Sequence, residues 1–143
     1  MATAVLTIGL VAIATGLPYA TSGVAAGGGE TAAVFLAEQR IEELRAQAMV
    51  DFAAPALGAS TTTEYCLPGS ITGGSNCQGA PAAGLWYTRS TTISDVTNGT
   101  GCPATPPSCK QIQVRVTYRP VTGAGTLDQS RAIDVVTVLG PRA

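Results

Sequence analysis

The first 29 residues, MATAVLTIGLVAIATGLPYATSGVAAGGG, contain no Asp, Glu, Lys, Arg or His, and the first charge in the chain is Glu30. An α-helix rises 1.5 Å per residue, so about 20 apolar residues cross a bilayer core. Met1 to Ala26 is long enough to do so. The alternative is a cleaved secretory signal with Ala12-Ile13-Ala14 as its small-residue cleavage site; the missing positive n-region favours a membrane or filament-core helix. Gly16, Pro18, Gly23 and Gly27 to Gly29 interrupt the segment. Proline removes a backbone hydrogen bond and glycine lowers helix propensity by about 1 kcal/mol, which predicts a kink near Gly16 to Tyr19. Backbone groups freed at such a break need neighbours, so the segment suits a packed assembly better than a lone lipid-facing span.

Beyond Glu30 the pattern turns amphipathic. Val34, Ala37, Ile41, Leu44 and Ala48 recur at steps of three and four, while Glu38, Arg40, Glu42, Glu43 and Arg45 lie off that stripe. The spacing predicts a helix over 30–52, ended by Pro55 and Gly58, with one apolar stripe wide enough to cover a sheet. Its charges read as a solvated face. Glu42 and Arg45 form an opposite pair at i, i+3, whereas Glu38 and Glu42 repel.

The next 32 or so residues, Ala53 to Gly84, show no sustained period and read as a long loop. Leu85 to Val96 is β-rich. Lys110 to Arg119 alternates strictly, with Ile112, Val114, Val116 and Tyr118 on one side and polar residues on the other. Arg131 to Leu139 supplies a partner strand with Ile133, Val135 and Leu139 facing the core. These three strands predict an antiparallel sheet with one apolar face, covered by the helix through Val34, Ile41 and Leu44 against Ile112, Val114 and Val116. Residues 1–29 thus form one unit and 30–143 a single small head.

Four cysteines occur as two close pairs, Cys66 with Cys77 and Cys102 with Cys109. Zinc sites built on thiolates usually show CxxC knuckles, and neither CLPGSITGGSNC nor CPATPPSC does. Disulfides in an oxidising compartment are the better reading. Three connectivities are possible; nearest-neighbour pairing is preferred because each pair brackets a turn-rich loop. Asn98-Gly99-Thr100 also matches a glycosylation sequon.

Composition restricts function. Net charge is -1 and only 12% of residues are charged, so no dense basic face exists to hold nucleic acid by its phosphates. Histidine is absent, removing the commonest general base. The acids Glu64, Asp95, Asp128 and Asp134 are scattered singly, and Gly27 to Glu30 lacks the rest of a phosphate loop. No catalytic residue, cofactor or metal ligand is therefore predicted. Trp86, Tyr87 and Tyr118 read as core or sheet-face aromatics.

An apolar helix containing TIGLVAIA, a weak Gly/Pro region, the run FLAEQRIEELRAQ and then strands YTRSTTISDV, KQIQVRVTYR and RAIDVVTVL resemble type IV pilins, most closely minor pilins and secretion pseudopilins. The resemblance implies an α+β fold, a long kinked N-terminal helix packed on a small antiparallel sheet with disulfide-stapled loops. It implies a structural subunit held in the bacterial inner membrane until an assembly machine extracts it into an extracellular filament. The partners implied are other copies of the chain or related pilins. Val5, Leu6, Ile8, Leu10, Val11, Ile13, Leu17 and Pro18 are the implied filament-core residues. The family's basic leader, its glycine before the cleavage point and its early glutamate have no counterpart at Met1 to Val5. Aligning TIGL with the family leaves about seven mature residues before Met1, and aligning on Pro18 leaves about four. The competing expectation is an adhesin-like, disulfide-bonded β-rich module on a membrane tether or secreted.

Overall fold

A computed structural model describes residues 28–67, 77–81, 87–97, 102, 109–122, 125–126 and 129–141. The predicted filament-core residues from Val5 to Pro18, the predicted kink, Trp86 and the sequon lie outside them. The described chain is α+β: one helix, α1 (28–50), lies on an antiparallel sheet. A 3-10 turn over Pro55–Leu57 follows the helix and drives Leu57 into the core.

The sheet contains β1 (Ser60–Cys66), β2 (Cys77–Gln78), β3 (Tyr87–Val96), β4 (Cys109–Tyr118) and β7 (Arg131–Leu139), in the order β2-β1-β3-β4-β7. The short strands β5 (Val121–Thr122) and β6 (Gly125–Thr126) pair with each other between β4 and β7. Every neighbouring pair in the large sheet is antiparallel. Strand β7 has the predicted bounds, and β3 and β4 differ from theirs by one or two residues at the ends.

Strand β1 occupies part of the stretch predicted to be loop. STTTEYC has only Tyr65 and Cys66 from the apolar set, so its inner face carries no hydrophobic period. Pairing along its full length with β3 stabilises it instead, from Ser60 opposite Ile93 to Cys66 opposite Tyr87. Propensity was available in the three consecutive threonines.

Alternation along β3, β4 and β7 sends one set of side chains under α1. Ile93, Ile112, Val114, Val116 and Tyr118 meet Ala33, Leu36, Ala37, Ile41 and Leu44 in one buried cluster, with Ile133, Val135 and Leu139 packed on its margin. Val34 departs from the prediction. It is only half-buried, and Ala33 and Leu36 join the predicted Ala37 on the inward stripe in its place. The two small alanines let the helix backbone come close to the sheet, and that close approach selects the helix rotation. Gly29 acts in the same way. A Cβ there would lie 3.2 Å from Cε2 of Tyr118. Residues 28 and 29, expected to break the helix, are helical, and Gly29 forms the close contact with the ring. The helix ends at residue 50 rather than 52, where the Asp51 carboxylate Oδ1 accepts from the Ala53 N–H at 2.9 Å.

The structure joins Cys66 to Cys77 and Cys102 to Cys109. The first bridge spans directly opposite residues of β1 and β2. The second ties residue 102 to the first residue of β4. Among the described residues no helix is long and apolar enough to cross a membrane.

Candidate assembly surface

Three contacts fix α1 on the sheet. At its N-terminal end, Tyr87 and Tyr118 stack with ring centroids 5.7 Å apart, and the Tyr87 hydroxyl donates to the Gly29 carbonyl at 3.4 Å. Burial first, and the neighbouring Tyr118 second, hold the Tyr87 phenol above its ordinary pKa of 10.0. At the far end, Arg45 Nη2 donates to Thr137 Oγ1 of β7 at 3.1 Å while its Nη1 pairs with Glu42.

The central contact is Arg89. Its place in the alternation of β3 puts it on the same face as Tyr87, Thr91 and Ile93, and it is 1% exposed. A buried guanidinium requires a counter-charge and partners for its donors. Glu64, directly opposite on β1, supplies the charge: Oε2 accepts from Arg89 Nε at 3.0 Å and from Nη2 at 2.8 Å. Arg89 Nη1 donates to the Leu36 carbonyl of α1 at 3.0 Å. One side chain thereby links two strands and the helix. Its position in YTRSTTISDV was readable from period 2, since every second residue from Tyr87 points inward. Its partner was not, because Glu64 lies on the strand that carries no apolar pattern.

With the inward stripe used on the sheet, α1 presents a second face outward. Phe35 is 55% exposed, Met49 62% and Val50 90%, and Glu38 and Glu42 lie exposed between them. Two ion pairs run along the helix, Arg40 to Glu43 at 3.0 Å and Arg45 to Glu42 at 2.6 Å. Of the predicted helix–sheet residues, Ile41, Leu44, Ile112, Val114 and Val116 come together in the core. Val34, half-buried, is not part of that cluster.

The opposite face of the sheet is polar, with Thr61, Thr92 and Gln113 in successive strands; Val136 and Val138 at its β7 edge are each 53% exposed. Among the described residues no group of three or more His, Cys, Asp or Glu side chains is arranged to hold a metal ion. No family model, curated protein or solved structure matches the chain.

Proposed function

We propose that this chain is a structural subunit of an extracellular type IV pilus-like filament, assembled through packing of its apolar N-terminal segment with those of other copies. The observation that carries the reading is the two-sided helix. One stripe of α1 is used on the sheet, while Phe35, Met49 and Val50 remain exposed on a rod that leads back toward the charge-free residues Met1 to Gly29. Adding an apolar segment of 29 residues to that rod gives a molecule whose best solvent is more of itself.

The two disulfides suit a head placed outside the reducing cytoplasm. In this reading, Val5, Leu6, Ile8, Leu10, Val11, Ile13, Leu17 and Pro18 line the filament core and the inner membrane holds the subunit before assembly. Negative-stain microscopy of native material tests it. Long fibres are the predicted result; dispersed monomers in detergent would point to a tethered or secreted adhesin-like module.

A further inference from the structure

Among the described residues the sheet has two open edges of matched polarity. Each step from β1 to β3, β4 and β7 is antiparallel, so β1 and β7 run in opposite directions. A second copy related by translation therefore brings its β1 beside β7 antiparallel, which continues the alternation of the sheet. Among the described residues, β7 has a strand partner only on its β4 side. The Ser60–Glu64 part of β1 has one only on its β3 side, because β2 reaches no further than Tyr65. Strand β7 has no proline, no lysine and an unbroken register with β4; its edge charges are confined to Arg131 and Asp134 among nine residues, RAIDVVTVL.

We propose that β7 of one copy pairs with Ser60–Glu64 of the next, with Arg131 opposite Glu64. Charge and register point to the same alignment. Glu64 lies opposite Arg89, Arg89 opposite Val116 and Val116 opposite Ile133, so Glu64 and Ile133 share the helix-side face, and Arg131 lies two residues from Ile133. Both Arg89 bonds go to Oε2 of Glu64, and Oε1 has no described partner on a side chain that is 24% exposed. Arg131 is an exposed cation at the first position of β7. In this register Ala132 meets Thr63, Ile133 meets Thr62, Asp134 meets Thr61 and Val135 meets Ser60. Gln78 of β2 is opposite Tyr65, so the incoming Arg131 falls next in line with it. A slip one way runs β7 into β2, and a slip the other way separates the charges. A one-residue slip also places Arg131 and Glu64 on opposite faces.

The contact joins different surfaces on the two copies, so it propagates instead of closing on a pair. All helices then lie on one side of a continuous sheet, as a filament with α1 inside requires. The inference rests on the filament reading for that arrangement.

Cross-linking of the full chain, with both native disulfides, tests the register. Thr63→Cys and Ala132→Cys are made singly and together, and each sample is oxidised, whether or not fibres are present. Within one molecule the two positions are separated by β3 and β4, about 14 Å at ordinary strand spacing, beyond the reach of a disulfide. The double variant is predicted to give a ladder of covalent multimers, a mixture of the single variants to give dimers only, and neither single variant to cross-link alone. Arg131→Glu is predicted to keep the melting temperature and raise the critical concentration for assembly about tenfold, the factor equivalent to about 1.4 kcal/mol. Fibres without a ladder, or dimers of Ala132→Cys alone, would overturn this contact and leave the filament reading standing. A ladder in material that forms no fibres supports the strand contact while counting against the filament.

Discussion

Arg89 is the residue on which the two layers depend. Removing its counter-charge leaves a guanidinium buried without compensation, which typically costs about 3–5 kcal/mol. Glu64→Ala is therefore predicted to destabilise the protein by about 3 kcal/mol in urea unfolding, more than any surface pair on α1. Replacing both members with apolar residues should recover much of the loss, because the pair also bears the cost of desolvation. Tyr87 makes a prediction with a definite pH window. Its proton is held more tightly in the folded protein than in an unfolded chain, where tyrosine ionises near 10.0. Its share of stability is therefore complete below about pH 10 and lost as pH rises through the folded value. Tyr87→Phe should show a shallower fall in melting temperature as pH rises above about 10 than the native protein. An unchanged slope would remove Tyr87 as the cause.

At the scale of elements, the rotation of α1 is decided by its smallest residues. Both Val34 and Ala33 fit a three-four spacing, and hydrophobicity alone favours valine. The structure buries Ala33 and Ala37 completely, since closest approach between layers needs small side chains more than apolar ones. Ile41→Asp is predicted to cost several kcal/mol, because it places a carboxylate among Leu44, Val114 and Val116. Val34→Asp should cost less than about 1 kcal/mol. Equal losses in thermal unfolding would contradict the observed rotation. The strands with clean alternation, β4 and β7, were readable almost to the residue. Strand β1 was not, as its helix-side positions begin with Ser60, Thr62 and Glu64, and the partial burial of Glu64 is meaningful only once Arg89 is placed opposite it. Gly29 was misleading for a related reason: propensity penalises glycine in a helix, whereas Tyr118 rewards the absence of a Cβ there.

For the whole molecule, the arrangement of helix on sheet followed from two periodicities and two close cysteine pairs, each of which acts locally. The link between layers did not, because a buried ion pair joins residues 25 positions apart without any apolar signature. Assembly is a further step away, as it depends on surfaces that only exist once the fold is formed. In the proposed filament the charge-free residues Met1 to Gly29 lie at the centre, with α1 around them and the sheets outermost. Helical reconstruction by electron cryomicroscopy of native fibres measures that radial order directly. The predicted result is axial density occupied by Val5 to Leu17 of many copies, each contacting protein on every side, with the sheets at the periphery. Fibres with the sheets at the axis and Met1 to Gly29 on the outer surface would contradict it.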